Sequence, residues 1–133
     1  MSKYLHVVAA LITKDNYILI AQRPESKYNG AWEFPGGKIE SPESPEIALK
    51  RELKEELNIS ANIGAHFMDS ILTISPVKTL ILSTYFAKTN DIPHALEHQE
   101  IKWVLVDELL NYPLLKADVP VAKKLIRTKK ADA

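Results

Sequence analysis

The 133-residue chain has no cysteine, which rules out disulfides and thiolate chemistry and fits a cytoplasmic protein. It has no net charge either. Seventeen basic and seventeen acidic side chains cancel, so the basic surplus that marks a partner of polymeric nucleic acid is missing. Long hydrophobic runs are absent as well. The amino-terminal stretch MSKYLHVVAALITKDN is too short in its apolar part for a spanning helix and leads directly into a strand-like pattern. It reads as mature, soluble sequence with no membrane partner. No internal repeat, low-complexity segment or interdomain linker interrupts the chain. What remains is an ordinary globular balance, 46% hydrophobic and 26% charged, over a length that suits a single domain, 1–133. Such a domain can bury a core without disulfides or structural zinc.

The most informative stretch is GGKIESPESPEIALKRELKEELNI, from Gly36 to Ile59. Ser44 is a suitable helix N-cap, Pro45 suits the first helical position, and Glu46 favours the positive end of the helix dipole. The spacing predicts a helix running to about Leu57. Leu49, Leu53 and Leu57 recur every fourth residue and form an apolar stripe. Glu52, Glu55 and Glu56 share a different face, and Arg51 lies four residues before Glu55, close enough to neutralise and orient it. A solvated acidic face is one account of those glutamates. The other is a hard divalent cation such as Mg²⁺, which binds oxygen ligands together with waters and substrate phosphates. The loop ahead of the helix favours the second account. Its glycine pair, Gly36-Gly37, is expected to let the backbone turn sharply and bring a carbonyl oxygen to the same ion.

Elsewhere the patterns are local. Tyr4 to Ile12 reads as a mostly buried strand, Lys14-Asp15-Asn16 as a turn, and Tyr17 to Gln22 as the hairpin partner. A polar loop from Arg23 to Gly30 leads to Trp32-Glu33-Phe34. Alternation puts Trp32 and Phe34 on one side and Glu33 on the other. The two aromatics are expected to provide core packing and a stacking wall for a nucleobase. Ala61 to Ile74 and Thr79 to Lys88 read as two strands joined by a turn. A polar loop, His94 to Glu100, precedes a strand from Ile101 to Val106. Asp107 is expected to cap a short helix, Glu108 to Tyr112. A final helix is predicted from Val119 to about Arg127, with Val121, Ala122, Leu125 and Ile126 inward and Lys129-Lys130 as a frayed tail. His6 and His66 read as strand residues.

The run Gly37, five residues, Glu43, seven residues, then Arg51-Glu52-Leu53-Lys54-Glu55-Glu56-Leu57-Asn58-Ile59 resembles the signature box of the Nudix hydrolases. One position departs from the pattern: Asn58 stands where the family has glycine. Asparagine tolerates the left-handed conformation wanted at a helix C-terminus. The resemblance extends over nearly the whole chain and implies an α/β/α sandwich with a mixed central sheet. It is nearest the MutT-like branch, and the LEHQ loop and YPLLKADVP end look closer to the CTP pyrophosphohydrolases.

The resemblance implies Mg²⁺-dependent cleavage of a nucleoside triphosphate to monophosphate and pyrophosphate, with Mn²⁺ as an alternative ion. Oxidised guanine and cytidine nucleotides are the expected substrates, and nucleotide-pool sanitation the expected role. Gly36 through its carbonyl, Glu52, Glu55, Glu56 and Glu97 would hold the metal. Glu97, Glu52 and Arg51 form the catalytic set, with Glu97 as general base and Glu100 as its alternative. Glu43 would be a loop brace or an outer metal ligand. Arg23 and Lys38 are candidate phosphate contacts, as is His98 more remotely, and Phe34 is the candidate stacking face. Asp118 either reads the base, by accepting from N–H donors, or caps the last helix. Another class of Nudix enzyme and a non-catalytic nucleotide sensor are the competing functions. Monomer and homodimer are both compatible with the pattern.

Overall fold

The computed structural model describes residues 3–24 and 30–132, with the side chains of 130–132 excepted. Part of the expected Arg23–Gly30 loop, residues 25–29, lies outside the described residues.

β1 (Lys3–Lys14) runs through the middle of the sheet. It turns at Asp15, whose φ of 56° is the left-handed conformation of a tight turn, and returns as β2 (Tyr17–Gln22). β3 (Trp32–Glu33) pairs with the end of β2, and β4 (Gly36–Lys38) pairs with β1. α1 spans Pro45–Leu57. β5 (Asn62–Ser75) and β6 (Lys78–Lys88) form a long antiparallel pair. β7 (Glu100–Leu105) lies antiparallel to β2, and α2 (Val119–Asp132) closes the fold. β1 and β6 pair in parallel over ten residue pairs, from Lys3 with Lys78 to Ile12 with Ala87, which makes the sheet mixed.

Strand alternation sorts β1 onto two cores. Val8, Ala10 and Ile12 face α1, together with Leu19, and meet Ala48, Leu49, Leu53, Leu57 and Ile59. Ala9 and Leu11 face the opposite way, with Ile18 and Ile20, and meet Val121, Ala122 and Leu125 of α2. The result is a helix on each face of a mixed sheet, the expected α/β/α sandwich. Leu49, Leu53 and Leu57 are fully buried, and each contributes about 1.5–3 kcal/mol of transfer free energy.

α1 has the predicted ends. Ser44 Oγ accepts from the Ile47 N–H at 3.2 Å, and Pro45 occupies the first turn. Asn58 closes the helix at φ 56°, its N–H donating to the Lys54 carbonyl at 3.1 Å. The other ends differ from expectation. Asp107 caps nothing: it lies inside a 3-10 helix, Val106–Asn111, whose N-cap is Leu105, and its carboxylate pairs with Lys129 at 3.7 Å. α2 continues through Lys129 and Lys130 to Asp132 rather than fraying after Arg127. Among the described residues, no helix is long and apolar enough to cross a membrane.

Candidate active site

The site forms where β4 runs beneath the carboxylate face of α1. Neither glycine of β4 has the positive φ that a sharp turn would require; among the described glycines only Gly30 does. Gly36 and Gly37 are extended strand residues opposite Ala9 and Val8. Their value is the missing side chain. A Cβ on Gly36 would collide with the Val8 carbonyl, and one on Gly37 with the Glu52 carboxyl group. The expected turning role is therefore replaced by a packing role: bare backbone lets the helix lay Glu52 on the strand.

Arg51 organises one half of the carboxylate face. Its Nε and Nη2 donate to the two oxygens of Glu43 at 2.7 and 2.9 Å, a bidentate pair. Nη1 donates to Glu52 at 3.0 Å and, more weakly, to Glu55 at 3.4 Å. Nη2 also reaches the Lys38 carbonyl at 3.1 Å, tying helix to strand. Glu43 is thus the main partner, where the sequence pointed to Glu55. Glu43 also accepts from the Glu40 N–H at 3.0 Å, which makes it a brace across the 40–43 loop. The Arg51 hydrogen bonds hold the Glu43 carboxyl below the ordinary range, and the carboxylates push the guanidinium pKa upward. Burial raises the Glu52 carboxyl in spite of Arg51.

Glu56, one turn on, has no such cation. It is 8% exposed, and its Oε2 is buried without a hydrogen-bond partner. Burial, followed by the negative charges of Glu33, Glu52 and Glu97, pushes its carboxyl up to about 9. Glu97 comes from a loop tied to the end of α1. The His94 N–H donates to Leu57 O at 3.0 Å, and the Leu96 N–H to Glu56 O at 3.1 Å. Glu100 opens β7 opposite Gln22, and the carboxylates raising Glu56 include Glu97 but not Glu100. Among the described residues, no three carboxylate or imidazole groups form a closed metal cage. The donors nevertheless fit a hard divalent cation in an open site. They are oxygens, one is a buried orphan, and burial together with the neighbouring carboxylates disfavours the charged form of Glu56 as long as no cation is present. Mg²⁺ prefers such sites, completed by water and phosphate.

Behind the carboxylates lies a cluster organised by Glu33. Arg23 Nη2 donates to Glu33 Oε1 at 3.1 Å, and Arg23 Nε lies 3.0 Å from Oε2. His98 Nε2 is 2.9 Å from the same Oε2. Along the sequence Glu33 falls opposite the aromatics with no visible role; its pairing with His98 joins residues 65 apart, so no local spacing reveals it. Arg23, expected at a phosphate, is engaged with this carboxylate, and Lys38 is exposed. His98 is held by Glu33, not aimed at a phosphate by any contact of its own.

Two assignments need correction. Phe34 is 2% exposed and packs in the α2-side core, as does Trp32, which meets Tyr112 edge-on at 5.7 Å between ring centroids. Neither ring is a stacking wall; what Phe34 brings to the site is its backbone. Its N–H donates to Asp118 Oδ2 at 3.1 Å. Asp118, buried in the 3-10 turn before α2, therefore points at β3's end and not at its own helix terminus, so the capping role fails. Burial, then the charge of Glu33, raises its carboxyl well above the usual range.

The chain is similar to proteins of known family and fold. A family model described as the NUDIX domain matches residues 3–128. The CTP pyrophosphohydrolase of Escherichia coli (strain K12) is 38% identical over 130 residues, covering 97% of this chain and 96% of its own. The 8-oxo-dGTP diphosphatase of Proteus vulgaris is 44% identical over 85 residues, covering 62% of this chain and 75% of its own. The solution structure of the E. coli ORF135 protein superimposes with a TM-score of 0.89 at 37% identity, covering 98% of this chain and 94% of that one.

Proposed function

The chain belongs to the Nudix family, and from that premise we propose that it is a Mg²⁺-dependent nucleoside triphosphate pyrophosphohydrolase acting on cytidine and oxidised guanine nucleotides. Its products are the nucleoside monophosphate and pyrophosphate, and its role is nucleotide-pool sanitation. The observation that carries the reading is the orphaned, buried Glu56 carboxylate among Glu52, Glu33 and Glu97. A protein that only sensed nucleotides would have no use for that arrangement. The two relatives named for CTP and for 8-oxo-dGTP support the substrate class.

Glu52, Glu55, Glu56 and Glu97, with the Gly36 carbonyl, would hold the cation, Mn²⁺ being an alternative to Mg²⁺. When bound, the cation supplies neutralisation of the phosphate charge. Arg51 keeps Glu52 and Glu55 oriented through its 3.0 and 3.4 Å contacts. Glu97, exposed at the edge of the carboxylate group, takes a proton from the attacking water as the water oxygen bonds to phosphorus. The phosphoric anhydride bond breaks and pyrophosphate leaves with the bonding electrons. Lys38, exposed and tied through its carbonyl to Arg51, meets the phosphate chain, while Arg23 keeps its pairing with Glu33. Asp118 accepts from the N–H edge of the base.

Incubation with Mg²⁺ and a nucleotide panel tests the proposal. Monophosphate and pyrophosphate should appear from CTP and 8-oxo-dGTP. Cleavage restricted to nucleotide sugars or dinucleotides would replace the substrate class, and binding without any product would replace catalysis by sensing.

A further inference from the structure

The loop that carries Glu97 has little to hold it. Leu96 is 58% exposed and Glu97 is exposed, so neither side chain anchors the segment by burial. Backbone hydrogen bonds fix its ends: Leu96 N–H to Glu56 O at 3.1 Å on the α1 side, and Gln99 N–H to Gln22 O at 2.9 Å on the β2 side. Between them His98 turns inward, its side chain only 7% exposed, with Nε2 2.9 Å from Glu33 Oε2. Glu33 in turn is clamped by Arg23 and stands on β3, paired with Ala21 of β2. It is thus part of the rigid sheet.

We propose that Glu33 and His98 are positioning residues, forming a latch that holds the 96–99 loop to the sheet and thereby fixes Glu97 against α1. The catalytic part of this proposal rests on the function proposed above; the latch itself does not. A sequence neighbour of His98, Glu97 cannot be placed independently of it, since successive residues are only about 3.8 Å apart. A displacement of about 1 Å in a group that handles a proton or a metal costs on the order of 10²-fold in rate. The short reach explains why a buried histidine is useful here. A longer side chain would let the loop ride away from the sheet, and an apolar one would leave a Glu33 oxygen without this partner.

The alternative is that His98 merely fills space. Two readouts separate the roles. The first is amide hydrogen exchange at Leu96 and Gln99, followed by NMR in wild type, His98→Ala, His98→Gln and Glu33→Asp. His98→Ala removes the donor, and Glu33→Asp withdraws the carboxylate while keeping its charge. Both should speed exchange at these two amides about 10-fold or more without moving amides in the β1–β6 pairing. His98→Gln, whose amide nitrogen can reach where Nε2 stands, should stay close to wild type.

The second readout is steady-state hydrolysis of CTP with saturating Mg²⁺. His98→Ala should lower kcat about 10–100-fold and leave KM within about 3-fold, with His98→Gln recovering most of the loss. Added to Glu97→Ala, it should cost little more than Glu97→Ala alone, because the latch acts through Glu97. Unchanged exchange in both His98→Ala and Glu33→Asp would overturn the latch, whatever the activity. Faster exchange with losses that multiply in the double variant would overturn its action through Glu97. If His98→Ala fails to fold, Glu33→Asp decides the first readout and, combined with Glu97→Ala, the second. Absence of any hydrolysis by wild type would sink the functional reading and leave the exchange result standing.

Discussion

Around Arg51, Glu43, Glu52 and Glu55 share one guanidinium at 2.7–3.4 Å. Around Glu56, one turn along the same helix, Glu33, Glu52 and Glu97 all push the same carboxyl toward its neutral form. The two regions carry similar side chains and handle their charge in opposite ways. In the first, the protein supplies its own cation, and the cost of bringing carboxylates together is met internally. Such a cluster is a brace, and its partial exposure limits its worth to stability. In the second, the compensating charge has to come from outside. The contrast shows that glutamate as a residue type is not enough: Glu43 is engaged by Arg51 in a bidentate pair, whereas Glu56 is left buried among carboxylates.

The contrast breaks most sharply at Glu56. Glu56→Gln keeps the size of the side chain and removes the charge that a metal would need. Turnover at saturating Mg²⁺ should fall by on the order of 10³ or more, while the far-UV spectrum and the metal-free melting temperature hold or improve. Near-normal turnover would show that the orphaned oxygen is not a ligand. Next in size is Glu97→Ala, which should lower kcat by about 10²-fold with a smaller change in KM, against Glu100→Ala as the matched control. If Glu100→Ala is the crippled variant, the two roles exchange.

Thermal melts against pH sharpen the comparison without any substrate. The folded protein holds a proton on Glu56 up to about pH 9, whereas the unfolded chain releases it near 4.5. The stability tied to that proton is complete below 4.5 and is lost as pH rises toward 9. Glu52 and Asp118, both raised by burial, act in the same direction. In chelator, the melting temperature should therefore decline from about pH 5 to 9. Mg²⁺ should flatten that decline by taking the place of the proton, and Glu56→Gln should flatten it without metal. An equally steep decline in Glu56→Gln would assign the slope to other groups.

The smallest effect is expected at Asp118. Asp118→Asn retains an oxygen for the Phe34 N–H and replaces a titratable oxygen by a permanent N–H donor. The ratio of kcat/KM for CTP to that for 8-oxo-dGTP should shift by about 10-fold, while Asp118→Ala should depress both. Asp118→Ala should also lower stability by about 1–3 kcal/mol, because it strands a buried Phe34 N–H. An unchanged ratio in Asp118→Asn would leave the residue a purely structural acceptor.

Much of this protein was determined by short stretches of sequence, because the forces involved act over a few residues. Ser44, Pro45 and Asn58 set the ends of α1 through hydrogen bonds to backbone groups three or four positions away. The four-residue spacing of Leu49, Leu53 and Leu57 settled which face is buried, and so where Glu52, Glu55 and Glu56 had to point. The β1–β2 hairpin lies where the Lys14–Asn16 turn put it. Tertiary structure decided the rest. Phe34 and Trp32 both went inward because α2 covers that face of the sheet, and alternation alone cannot say which face will be covered. Asp118 had a helix N-terminus beside it and instead took the Phe34 N–H, 84 residues away. Glu33 became the meeting point of Arg23 and His98 only when β2, β3 and the 94–99 loop were brought together. Charge pairing between distant strands carries no periodic signal along the chain, whereas a cap or an apolar stripe does.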